Sequence, residues 1–295
     1  MFKVVFLQHI TNQVLSFMRK FIFPLICVVF SCKTSKRSAE STIQHPLDHV
    51  RVSIHRGGGF ETLWPENAQE SFQHYLKEMP GSMLECDVRM TKDSVLVLMH
   101  DDDLNRTSNG QGLISTSMYK DLMSLRLKDN FGNLTAFHIP RLDSVLVWAD
   151  GKVAFTLDVK RFVPYDFVVK HVKQYHSLEN CVLTTYTMDE VKTMGQLSPE
   201  VKVSCGIFKE GDLQEIRGYG LTDKQIFAFL GTHYPDKALI QFLHVNHIPV
   251  IQATIGSLDK QGKENGGLLY KDLDQIGVDI FATDYPYEVY SALGH

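Results

Sequence analysis

Val52-Ser53-Ile54-His55-Arg56-Gly57-Gly58, with Trp64-Pro65-Glu66-Asn67 just beyond it, is the stretch around which this 295-residue chain is organised. The β-branched run Val52-Ser53-Ile54 reads as a strand, and it ends in His-Arg and a glycine cluster. Glycines there let the backbone turn sharply and approach a ligand closely. A histidine and an arginine at the mouth of such a strand set a proton carrier beside a phosphate anchor.

Outward from that strand, short apolar runs alternate with helical patterns. The runs predict strands over Val52–His55, Met83–Arg89, Val95–His100, Val153–Lys160, Cys181–Tyr186, Val201–Ile207, Ile248–Thr254 and Val278–Thr283. Helical patterns fall over Ala68–Met79, Leu142–Ala149, Tyr165–His176, Met188–Leu197, Asp212–Tyr219, Asp236–Asn246 and Tyr270–Ile276. Eight strands with intervening helices predict an α/β fold, a (β/α)8 TIM-type barrel, rather than a doubly wound sheet. Only a few residues around Lys92-Asp93 join the second and third strands, so one βα unit is irregular. The segment Asp102–Pro140 has weak periodicity and reads as a small insertion after strand 3, on the loop side of the barrel.

The length suits one large domain, and 44% hydrophobic with 22% charged residues is ordinary for a globular chain. A net charge of −4 with no long basic stripe argues against a nucleic-acid partner. Cys86, Cys181 and Cys205 are too widely spread for a disulfide framework or a zinc site and read as small buried hydrophobes. At the N-terminus Arg19-Lys20 precede the apolar run Phe21–Phe30, and Ser31-Cys32 end it. The run is too short to span a membrane, and its flanks have the order of a secretory signal. Val29-Phe30-Ser31-Cys32 resembles a bacterial lipobox, in which the cysteine is lipidated, with Phe30 bulkier than that motif prefers. The expectation is therefore a targeting segment over 1–32, a polar linker over 33–50 and a barrel domain over 51–295. It implies an exported lipoprotein, anchored to a membrane of the bacterial cell envelope. Met18, just before the basic pair, is an alternative start.

The polar residues of the predicted strands gather at one end. Residues two apart in a strand share a face, so Glu85 and Asp87 point one way and Cys86 the other. Asp158 and Lys160 pair in the same manner, as do Ser53 and His55, and His100-Asp101 closes its strand. Each group falls near a strand's C-terminal end, the face on which barrel active sites are built. Glu85, Asp87 and Asp158 offer only oxygen, which suits a hard divalent cation such as Ca²⁺ or Mg²⁺. Arg56 and Lys160 would face a phosphate, and His55 and His100 would flank a scissile bond as base and acid. Asp284, ahead of Tyr285-Pro286, has the form of a helix N-cap, and Tyr186 reads equally as a mouth or a packing residue.

This set of residues, His55-Arg56-Gly57, Pro65-Glu66-Asn67, Glu85-x-Asp87, His100-Asp101, Leu104-x-Arg106-Thr107, Asp158-x-Lys160 and Thr283-Asp284-Tyr285-Pro286, resembles the glycerophosphodiester phosphodiesterases over about residues 51–290. The resemblance implies one bound divalent cation and hydrolysis of glycerophosphodiesters to sn-glycerol 3-phosphate and an alcohol. It implies His55 and His100 as the catalytic pair and Glu85, Asp87 and Asp158 as metal ligands. It also implies Arg56, Glu66 and Lys160 on the substrate side. Asp158 stands where the family usually has Glu, and Gln252-Ala253-Thr254-Ile255-Gly256 where many relatives have a W-T-x-N-like segment. Two other readings stay open: a related lysophospholipid or sphingolipid phosphodiesterase, and a surface lipoprotein that binds a phosphorylated ligand without turnover.

Overall fold

The structure, a computed structural model, describes residues 47–58 and 60–295. The expected targeting segment and nearly all of the linker lie outside the described residues. Among the described residues no helix is long and apolar enough to cross a membrane.

The strands, in chain order, are β1 (Val52–Ile54), β2 (Met83–Met90), β3 (Leu96–Leu98), β4 (Arg126–Lys128), β5 (Leu134–His138) and β6 (Phe155–Val159). They continue as β7 (Cys181–Thr184), β8 (Lys202–Gly206), β9 (Ile226–Phe229), β10 (Val250–Ala253) and β11 (Ile280–Thr283). Parallel neighbours run β1-β2-β6-β7-β8-β9-β10-β11, and β11 pairs back onto β1. Eight of the described strands thus close a (β/α)8 barrel, as expected.

Two strand assignments differ from expectation. Residues predicted as the third barrel strand instead form β3, which runs antiparallel to the end of β2 with Val88 opposite Leu98 and Met90 opposite Leu96. The cause is the connection: a parallel neighbour needs a crossover of a dozen or more residues, whereas a few residues permit only a hairpin. The third wall is β6, so the insertion lies between the second and third barrel strands. The missing wall is β9, a run of Ile226-Phe227-Ala228-Phe229 bonded to β8 and β10. Such a run is too short to separate strand from buried helix by periodicity alone.

Side chains alternate across the walls as the period of two requires. Leu84, Cys86, Val88, Phe155 and Leu157 pack outward with the helices into the main core. Met83, Val182, Phe227, Ile251 and Ile280 fill the barrel's floor. The insertion carries the antiparallel pair β4–β5 and its own small core of Leu104, Ile114, Leu122, Leu127 and Ile139, together with Val97 and Met99. All three cysteines in the described residues are free and buried, as read from their spacing. The helices Leu142–Ala149 and Met188–Leu197 have the predicted bounds. The helix Ser257–Glu264 has no counterpart among the predicted elements, whereas the helix Pro286–Ala292 follows the cap pattern read at Asp284-Tyr285-Pro286.

Candidate active site

Beyond β1 the chain makes one turn over His55–Gly57 with Arg56 in the left-handed region (φ 55°, ψ 16°) and Gly57 at φ 53°. A Cβ on Gly57 would stand 2.1 Å from the Phe72 ring, so the position needs glycine for space as well as conformation. The turn brings the Arg56 N–H to Glu85 Oε2 at 2.6 Å. Asn67, also left-handed at φ 58°, donates its N–H to the Arg56 carbonyl at 2.7 Å. Its amide exchanges a reciprocal pair with Asp87: Nδ2 donates to Oδ2 at 2.7 Å, and the Asp87 N–H donates to Oδ1 at 2.9 Å. Both sequence landmarks therefore converge on the inward carboxylates of β2.

Asp87 and Asp158 are register partners on β2 and β6. Each of Glu85, Asp87 and Asp158 offers an oxygen, all within 4.8 Å of one another. Lys160 bridges two of them, with Nζ 2.6 Å from Asp87 Oδ1 and 2.5 Å from Asp158 Oδ2. The Tyr186 hydroxyl donates to the same Asp158 Oδ2 at 2.7 Å, which resolves that residue in favour of the mouth. Asp158 Oδ1 is buried without a hydrogen-bond partner. A buried carboxylate oxygen left without a donor is costly unless a cation satisfies it. Three carboxylates, all oxygen, fit a hard divalent cation.

The electrostatics agree with that donor set. Burial, then the charge of Asp87, raises the Glu85 carboxyl well above the usual range. Burial also pushes on Asp87, but the Lys160 ammonium and the Asn67 amide outweigh it and hold the group below its ordinary value. Burial would pull Lys160 down, yet Asp87 and Asp158 raise it, so the ammonium stays charged.

The two histidines each contact a carboxylate through Nδ1. His55 meets Asp284 Oδ1 at 2.7 Å, and His100 meets Asp101 Oδ1 at 2.7 Å. For His55, burial favours the neutral ring, but the Asp284 hydrogen bond and the charges of Glu85 and Asp284 prevail and raise its pKa. Arg89 donates to the His100 carbonyl from Nε at 3.0 Å and Nη2 at 2.6 Å, fixing the turn that carries that ring. Asp101 also accepts from Arg106, which holds its carboxyl far below the usual range.

Arg106, from the insertion, links the two halves. It donates to Asp101 and, at 2.9 and 2.8 Å, to both oxygens of Glu66. Glu66 also accepts from Arg56 Nη1 at 3.0 Å. Glu66 is thus buried between two guanidiniums, ahead of the helix Gln69–Glu78. Asp284 corrects another expectation, because Tyr285 takes the N-cap position of the helix Pro286–Ala292. The roles of Asn67, Asp101 and Arg106 were not assigned from sequence, although all three lie in the quoted motifs.

Beneath the carboxylates is a cavity of 160 Å³, lined by His55, Glu85 and Asp158 and by Thr156, Thr184 and Ser204. Ala253 of β10 and Ile255 just beyond it face the cavity. Gln252 turns away, its amide donating to the carbonyls of Gly231 at 2.8 Å and His233 at 3.1 Å. This wall of the cavity therefore offers small and aliphatic surface. A larger open hollow of 1050 Å³ around Arg51, Lys202 and Asp279 touches none of these groups, so the chemistry selects the smaller one.

Residues 55–205, just over half the chain, match the glycerophosphoryl diester phosphodiesterase family. A Bacillus altitudinis glycerophosphodiester phosphodiesterase is 25% identical over 259 residues, 80% of this chain and 95% of that protein. The crystal structure of a glycerophosphoryl diester phosphodiesterase from Parabacteroides distasonis is 31% identical with a TM-score of 0.76, covering 82% of this chain and 85% of that one. An Oleispira antarctica phosphodiesterase, solved in complex with the product sn-glycerol-3-phosphate, shares the fold at TM-score 0.65 and 20% identity, over 83% of this chain and 97% of that one. The matched segment begins at His55 and takes in the β2 carboxylates, the His100-Asp101 pair and Asp158, and on these grounds the chain belongs to the glycerophosphoryl diester phosphodiesterase family.

Proposed function

We propose that this protein hydrolyses glycerophosphodiesters to sn-glycerol 3-phosphate and an alcohol, with a divalent cation, Ca²⁺ or Mg²⁺, held by Glu85, Asp87 and Asp158. The observation that carries the reading is the carboxylate triad, all within 4.8 Å, beside His55 and next to the dyad of His100 with Asp101. Family membership and the product bound by the Oleispira protein support the substrate class. The cation would neutralise phosphate charge and polarise its oxygens. Arg56 and Lys160 bind the phosphate oxygens, and Glu66 keeps Arg56 extended. One histidine takes a proton from the attacking water while the other gives a proton to the departing alkoxide, so the water oxygen ends on phosphorus. In this reading the enzyme is exported and anchored through Cys32 to the bacterial envelope, acting on deacylated phospholipid headgroups.

A panel of glycerophosphodiesters, assayed for glycerol 3-phosphate with and without chelator, tests the proposal. Release that chelation abolishes and Mg²⁺ or Ca²⁺ restores is expected; release indifferent to chelator would remove the metal from the account.

A second reading, hydrolysis of lysophospholipids, is favoured by one observation. Phe162, Tyr186 and Phe208 follow three consecutive barrel strands, and their exposures are 85%, 68% and 65%. Phe162 also has φ 72°, an uncommon conformation for a bulky residue. A lysophosphatidylcholine arm in the same panel decides between the two.

A further inference from the structure

Asp284 follows β11, and its carboxylate meets His55 across 229 positions of chain. The loop that carries it is pinned from below by Asp259, which is wholly buried in the helix Ser257–Glu264. Asp259 accepts from the Thr283 hydroxyl at 2.8 Å, from the Asp284 N–H at 2.8 Å and from the Tyr270 hydroxyl at 3.1 Å. Thr283 Oγ1 in turn accepts the Tyr285 N–H at 2.9 Å, and the Asp284 carbonyl accepts the Phe60 N–H at 3.0 Å. Asp284 is therefore held at its backbone on both sides, while its side chain has one task in view, the imidazole.

An ionised carboxylate can only accept hydrogen bonds, so its contact with Nδ1 requires that nitrogen to carry the proton. The neutral ring then keeps its lone pair on Nε2. A histidine without such a partner divides between two tautomers and rotates about its side-chain bonds, and only part of that population suits proton transfer.

We propose that Asp284 is the positioning residue of His55, locking the ring in the Nδ1–H form with Nε2 free for proton transfer, and that Asp259 sets Asp284 in place. The proposal rests on the diesterase reading for its kinetic consequence but not for its structural one.

The test uses the ¹⁵N-labelled full chain and its Asp284→Asn variant at about pH 9, where an imidazole is neutral. Long-range ¹H–¹⁵N spectra report the tautomer, with the His55 signals identified by their loss in His55→Gln. Wild type should show His55 as Nδ1–H, and Asp284→Asn should shift it to Nε2–H or a mixture. On a glycerophosphodiester at saturating Mg²⁺, the variant should lose roughly a hundredfold or more in kcat, as when the carboxylate behind a catalytic imidazole is neutralised. KM and the half-saturating metal concentration should move less than about threefold, because Asp284 is not among the residues proposed to hold the phosphate or the metal. A merely structural role would lower melting temperature and raise KM while leaving the tautomer unchanged. An Nε2–H wild-type ring, or a variant that keeps its tautomer and its kcat, overturns the proposal even if the variant folds poorly. Wild-type protein inert on every diester would instead overturn the functional reading, and the spectra would still decide Asp284.

Discussion

Lys160 Nζ stands 2.6 Å from Asp87 Oδ1 and so lies among the proposed metal ligands rather than across the mouth from them. The same ammonium is 2.5 Å from Asp158. It would therefore compete with a cation for two of three carboxylates, besides its proposed role as a phosphate anchor. Lys160→Met should lower the half-saturating metal concentration by about tenfold, a fraction of the several kcal/mol that two charges about 4 Å apart exchange at an effective dielectric of about 20. Turnover should fall at the same time, through the lost phosphate contact. Asp158→Ala should act oppositely and raise the metal requirement by about tenfold or more, whereas Asp158→Glu should keep substantial activity. Metal titrations of the three variants check this, and an unchanged requirement in Asp158→Ala would take that residue out of the site.

A pH dependence follows from Asp101. Hydrogen bonds from Arg106, and then from His100, depress its carboxyl pKa when the chain folds. A depressed carboxylate contributes stability that is present above its unfolded value and disappears as pH falls through the folded one. The melting-temperature gap between wild type and Asp101→Asn should thus be full at neutral pH and shrink below about pH 4, the ordinary aspartate range. A gap that widens in acid would contradict the assignment.

Gly57 tests the turn that starts the site. With φ 53° and a Cβ position 2.1 Å from the Phe72 ring, Gly57→Ala must combine strain with overpacking. A loss of about 2–4 kcal/mol is expected, from overpacking of a core and a left-handed L-residue together. Denaturant titration measures it; an unchanged midpoint would mean that the turn relaxes at no cost.

Much of this site was legible because strand periodicity is local. Glu85, Cys86 and Asp87 had to alternate, and the barrel turned the carboxylates inward as read. The pairing partner of a strand is not local. Val95–His100 looked like a wall because its residues suit any strand, and only its short link to β2 forced the hairpin. With that strand counted as a wall, eight walls are already filled and the apolar run at Ile226–Phe229 has no vacant position. Long-range partners were the other blind spot. Asp284 resembles a helix cap in its own neighbourhood, and nothing near it in sequence points to His55. Nothing near Glu66 in sequence likewise points to Arg106, 40 positions away.

The most direct test of the central claim is hydrolysis of glycerophosphocholine in ¹⁸O-water with Mg²⁺ or Ca²⁺, run beside His55→Ala and His100→Ala. The account predicts equimolar choline and sn-glycerol 3-phosphate, with one ¹⁸O in the phosphate and none in choline. Each histidine variant should be slower by about a hundredfold or more while keeping its fold. Label in choline, or release that continues at the wild-type rate in either variant, would contradict it.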